Sequence, residues 1–82
     1  MSFLVVANFK SNMSLSSVQE WIDSVAPTPQ LIVAPSFTYL KLFSQFTLAA
    51  QDVSPFPPGS YTGAINSRQL HDLGVAYCIV GH

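Results

Sequence analysis

Few residues in this chain can do chemistry, and two of them stand at telling places. The 82 residues include four acids (Glu20, Asp23, Asp52, Asp72), three bases (Lys10, Lys41, Arg68) and two histidines (His71, His82). Lys10 follows the apolar run 3–7 through Asn8 and Phe9, and His82 follows the run 77–80 through Gly81. An ammonium beside a buried strand is costly unless an anion meets it. Lys10 therefore marks either an anion-binding site or a pair with a local carboxylate. His71 lies between Leu70 and Leu73, where a solvated or packing imidazole is the simpler reading. Cys78 sits inside an apolar run and reads as a small buried hydrophobe rather than a reactive thiol. A lone cysteine cannot form an internal disulfide, which suits a reducing cytoplasm.

The elements that must position these residues follow from the apolar pattern. Four runs, at 3–7, 31–34, 48–50 and 77–80, are continuous rather than alternating. Short continuous runs rich in β-branched residues suit strands of a parallel sheet buried on both faces. Parallel neighbours need crossovers of about a dozen residues or more, and each gap is long enough. In the first gap Leu15, Val18, Trp21, Ile22 and Val25 form one helical face. Ser14 can cap that helix, Ser17 and Glu20 offer a second capping box, and Pro27 and Pro29 stop it. In the second gap Leu40, Phe43 and Phe46 share a stripe entered through Pro35 and Ser36, again read as a helix facing the core. The third gap carries Pro55, Pro57, Pro58 and Gly59. It reads as a long loop, then a short helix at about 67–73 capped by Asn66 and stopped by Gly74. Phe56 and Tyr61 add apolar surface that a merely solvated loop would not need, so this loop reads as interactive. The expected architecture is α/β, with order β-α-β-α-β-loop-α-β, in one domain over residues 1–82 with no internal boundary.

Composition narrows the classes. The chain is 49% hydrophobic and 9% charged, with a net charge of −1. Soluble domains average about 25% charged residues. So apolar a chain of this length implies either a partner on its surface or membership of a larger fold. The charge gives no footprint for nucleic acid. No apolar run approaches the roughly 18 residues of a membrane span, and the amino end lacks a signal-peptide pattern.

In parallel α/β folds, polar chemistry gathers beyond the carboxyl ends of the strands. Those ends read Asn8-Phe9-Lys10, Pro35-Ser36, Gln51-Asp52 and Gly81-His82. With these in order, the chain resembles the triosephosphate isomerase family along its whole length. The matching stretches are Ala7-Asn-Phe-Lys-Ser-Asn12, Val33-Ala-Pro-Ser-Phe-Thr-Tyr39, Ala49-Ala-Gln-Asp-Val-Ser54, Gly59-Ser-Tyr-Thr-Gly63, and Asp72-Leu-Gly-Val with Ile79-Val-Gly-His82. The family fold is a (β/α)8 TIM barrel of about 250 residues. By this resemblance the chain is a partial barrel, from strand one to the Gly-His pair that ends strand four.

The resemblance implies an isomerase of glycolysis and gluconeogenesis, cytoplasmic and without cofactor or metal. It interconverts dihydroxyacetone phosphate and glyceraldehyde 3-phosphate through an enediolate. Lys10 would supply positive charge to the phosphodianion and enediolate, beside Asn8 and Phe9 as substrate-binding residues, with Asn8 also positioning the lysine. His82 would be the electrophile that polarises the carbonyl, this family being itself a standing example of a histidine kept neutral by a helix amino terminus. Tyr61, Thr62 and Gly63 would lie at a homodimer interface, Thr62 meeting the partner's Asn8 region. The family's base is a glutamate after a later strand. The chain's one glutamate, Glu20, matches the first helix instead, and Asp52 matches a position of the third loop. The 82-residue chain alone is therefore expected to be inactive. Ala64 replaces a common glutamate and Ser11 a common apolar residue. Two other readings are a non-catalytic α/β module that pairs through its strand edges, and a different sugar-phosphate barrel enzyme. The Tyr-Thr-Gly loop argues against the second.

Overall fold

A computed structural model describes residues 3–80. Strands β1 (Val5–Asn8), β2 (Leu31–Ala34), β3 (Thr47–Ala50) and β4 (Tyr77–Cys78) form one sheet in the order β1-β2-β3-β4, every pair parallel. Helix α1 (Leu15–Ser24) joins β1 to β2, a 3-10 helix (Phe37–Phe43) joins β2 to β3, and a loop with helix α2 (Ser67–Asp72) joins β3 to β4. The α/β class, the strand order and the parallel sheet are those expected of part of a (β/α)8 barrel.

Local signals set the helix ends. Ser14 caps α1: its side chain accepts from the Ser17 N–H, and the Ser17 hydroxyl accepts from the Ser14 N–H. The capping box thus closes between Ser14 and Ser17, not between Ser17 and Glu20. Asn66 and Gln69 form the same reciprocal box at α2. Gly74, at φ +77°, ends α2 in the left-handed conformation that a residue without Cβ adopts freely.

Two expectations need correcting. The β2–β3 crossover is a 3-10 helix rather than an α-helix. Its apolar residues Phe37, Leu40 and Phe43 recur every third position, and at three residues per turn they stack on one side. Leu40 and Phe43 are buried there, and Phe46 packs just beyond the helix end. Nor are all four strands buried. The inner pair β2 and β3 is buried apart from its first residues, while β1 is exposed at three of its four residues and β4 at Tyr77. An outer strand has a neighbour on one side only and less cover above and below.

The core lies mainly on the helix side of the sheet. Val33, Leu48 and Ala50 meet Val18, Leu40, Phe43, Phe46 and Leu70 there. Half-buried against this cluster, Trp21 stands 5.3 Å from Phe46 and 5.8 Å from Phe43 between ring centroids. Ile32, Ala34 and Ala49 bury the opposite face, with Ile79 against them. The second face is built from smaller side chains, and the polar strand ends open over it.

Candidate functional site

Strand register decides which residues share that second face. Asn8 pairs with Ala34, and Ala49 with Tyr77. With side chains alternating at period two, Gln51 continues the row of Ala49, and Ile79 the row of Tyr77. The small side chains Ala34 and Ala49 leave room at the carboxyl ends. A cavity of about 710 Å³ opens there, lined by Asn8, Lys10, Ser11, Gln51, Asp52, Val53, Ile79 and Val80.

Lys10 is held in an unusual backbone conformation. It is the one non-glycine residue at positive φ (+53°) among the described residues. Outside glycine, that left-handed region costs roughly 1–2 kcal/mol. Asn8 Oδ1 accepts a hydrogen bond from the Lys10 N–H at 3.0 Å, an Asx turn that tolerates the geometry. Gln51 Nε2 donates to the Lys10 carbonyl at 2.7 Å and to the Ala34 carbonyl at 2.9 Å. Both acceptors are carbonyl oxygens, so the amide must turn its nitrogen toward them. The Ala34 carbonyl also accepts from the Phe9 N–H at 3.1 Å. The side chain of Lys10 is left in the open, on the cavity.

Phe9, expected among the substrate-binding residues, turns the other way. Its ring centroid lies 5.0 Å from Trp21, edge-on, and 5.6 Å from Phe43. Phe9 does not line the cavity; it anchors the segment between Asn8 and Lys10 to the core. Phe9 is a large apolar ring next to a buried aromatic cluster, and packing there removes it from water.

The loop residues Tyr61, Thr62 and Gly63 stand apart from Lys10. Tyr61 stacks on Phe56, with centroids 4.8 Å apart and planes 11° from parallel. A Cβ at Gly59 would lie 2.9 Å from the Tyr61 ring, so a larger residue there would push the ring from its present place. Gly63 has φ +82°. The loop is tied at its base by the Ser54 N–H donating to the Ile65 carbonyl at 2.7 Å. Tyr61, Thr62 and Gly63 line a second cavity of about 510 Å³ with Phe37, Asp52 and Val53. Asp52 and Val53 border both cavities.

The remaining candidates are readily placed. His71 is exposed on α2, and Glu20 is exposed on α1. Cys78 is half-buried; burial first, then the nearby Asp52 carboxylate, push its thiol above the usual range. That favours the neutral thiol, in keeping with an inert residue. His82 lies outside the described residues. Among the described residues no cluster of histidine, cysteine and carboxylates could hold a metal ion, and no helix is long and apolar enough to cross a membrane. The sequence marks Gln51 only as a polar residue at a strand end. Its position two residues after Ala49, on the face shared with Asn8, was the available signal.

A parallel sheet whose strands lie in sequential order, with polar groups at their carboxyl ends, is that of part of a TIM barrel. The sequence model of triosephosphate isomerase matches residues 3–82, and the chain belongs to the triosephosphate isomerase family. A triosephosphate isomerase of Wolbachia from Brugia malayi is 37% identical over 100% of this chain and 39% of its own length. That of Polynucleobacter asymbioticus is 35% identical over 96% of this chain and 38% of its own. That of Neurospora crassa is 34% identical over 98% and 37%. The chain therefore spans about two fifths of the length of the curated relatives it matches.

Proposed function

We propose that this chain forms part of a triosephosphate isomerase active site, with Lys10 and Asn8 as its substrate-binding contribution. The observation that carries this reading is the Lys10 loop. A lysine in a costly backbone conformation, fixed by Asn8 and Gln51, presents its ammonium on a cavity at the carboxyl ends of parallel strands. Strained residues gather at functional sites. A fixed cation there would bind the phosphodianion of a triose phosphate. It would also stabilise the negative charge that builds on oxygen as a proton leaves the carbon beside the carbonyl. His82 would polarise the carbonyl, and the reaction would interconvert dihydroxyacetone phosphate and glyceraldehyde 3-phosphate in glycolysis and gluconeogenesis. Phe9 would serve the site through its packing. No cofactor is needed for such a proton transfer. The chain acts as one domain unit over residues 1–82, in a cytoplasmic homodimer in which Tyr61, Thr62 and Gly63 meet the partner.

The test is a chimera in which residues 3–82 replace the matching segment of the Polynucleobacter asymbioticus relative. Isomerase activity is expected, falling about 10²–10³-fold with Lys10→Met. An active chimera indifferent to that substitution overturns the assignment. The 82-residue chain assayed alone is expected to give no turnover, because its one glutamate sits on α1, away from the cavity.

The exposed outer strands favour a second reading, a non-catalytic module that pairs through its edges. Concentration-dependent association of the chain, seen by size-exclusion chromatography, would support it.

A further inference from the structure

We propose that the sheet closes into an eight-stranded barrel with a second copy of this chain, β4 of each copy pairing with β1 of the other; this rests on the edge-pairing reading above and gives it one partner and one geometry.

The two faces of the sheet set the direction of closure. Val18 of α1, Leu40 and Phe43 of the 3-10 helix and Leu70 of α2 share one core cluster, so every connection among the described residues crosses the same face. The opposite face holds Ile32, Ala34 and Ala49, and no described helix covers it. Parallel sheets are almost always covered on both faces. Ile32 is nonetheless only 4% exposed. A flat, bare sheet would leave that side chain to water, whereas a sheet curled toward it shelters it. Further strands must complete the ring on this concave side.

Two features point to a second copy as what completes it. The first is strand number and direction. A barrel of this kind closes with eight parallel strands. The described sheet supplies four in sequential order, and one more copy supplies the rest, with its helices also outside. All four strands run parallel, so the free edge of β4 meets the free edge of β1 in the other copy with strands parallel. The same contact made twice about a two-fold axis leaves no edge open. The second feature is the chemistry of the edges. Edge strands are commonly blunted by lysine, proline or an inward charge. Val5–Asn8 and Tyr77–Cys78 carry none of these. Val6 pairs with Ile32 and Tyr77 with Ala49, which places both on the concave side. They are 51% and 50% exposed, and strands of a second copy would cover them. Because β4 has only two residues, each junction gains few ladder hydrogen bonds, and the dimer parts on dilution.

Sedimentation equilibrium of the 82-residue chain is expected to show twice the 8.9 kDa chain mass at high concentration and the monomer on dilution. A monomer at every concentration overturns both the barrel and the edge-pairing reading. Species that keep growing beyond the dimer overturn the closed ring alone. Val6→Lys, which turns a charge into the ring, is expected to leave only monomer, and an unchanged dimer overturns the proposal. Cys78 reports which edges meet. It pairs with Ala50, while Val5 and Ala7 pair with Leu31 and Val33, so all three lie on the helix-covered side. In the two-fold barrel the two copies of Cys78 fall in different junctions, each beside β1 of the other copy. Val5→Cys or Ala7→Cys is therefore expected to yield a disulfide-linked dimer on air oxidation, since neighbouring strands bring Cα atoms within disulfide reach. The unsubstituted chain, and the same variants carrying Cys78→Ser, are expected to stay unlinked. A dimer linked by Val5→Cys in the absence of Cys78 would set β1 against β1, keeping edge pairing and overturning the barrel. A dimer that neither cysteine variant links overturns the barrel as well.

Discussion

The inner strands β2 and β3 and the outer strands β1 and β4 are built from similar residues and end in different surroundings. Val33 is fully buried, whereas Val5 and Val6 are 50% and 51% exposed. All three are valines in continuous apolar runs. Burial in this sheet is set by having a neighbouring strand on each side and packed layers above and below. The inner pair has these and the outer pair does not. Among the described residues, each outer strand also presents an unpaired edge, a template for further pairing. The site inherits the contrast: Lys10 follows an outer strand, and Gln51 ties it to the inner ones.

The contrast is sharpened most by Phe43, which is fully buried and touches the rings of Phe9, Trp21 and Phe46. Phe43→Ala should cost about 3–5 kcal/mol, read by urea unfolding with Trp21 fluorescence. A cost below about 1 kcal/mol would mean the inner layer is not the stable part. Next comes Asn66→Ala, which removes the cap of α2 beside the outer strand β4 and should cost about 1 kcal/mol. Amide exchange of α2 should quicken while β2 stays protected. Val6→Thr, on β1, should change stability by no more than about 0.5 kcal/mol. A loss as large as that from Phe43→Ala would erase the distinction between the two pairs.

The smallest effect concerns the Cys78 thiol. Its folded-state pKa is raised, by burial first and Asp52 second. The neutral thiol's contribution to stability is thus fully present below the ordinary thiol range and lost as pH climbs through the raised value. Alkylation of Cys78 should therefore begin at higher pH in the folded chain than in urea. Asp52→Asn should move the onset only part of the way down, because burial is the larger cause. An onset unchanged by folding would show β4 to be as open as solvent.

Much of this was legible from residue types. Ser14, Asn66 and Gly74 announced their helix ends because capping is local chemistry between residues a few positions apart. The 3-10 helix is not legible, because a spacing of three fits either helix type. The inward turn of Phe9 is not legible, because a ring between two polar residues carries no mark of the direction in which it packs. Gln51 went unassigned because its partners, the Lys10 and Ala34 carbonyls, are backbone groups that no residue type reveals.

By itself, then, the sequence determined the strands, the parallel order, the caps and the candidacy of Asn8 and Lys10, since periodicity and capping act within a few residues. Tertiary structure alone decided which strands are buried, the left-handed backbone of Lys10, the inward turn of Phe9 and the grip of Gln51. Those depend on which distant groups the sheet register brings within hydrogen-bonding or packing distance, and register is a property of the assembled strands.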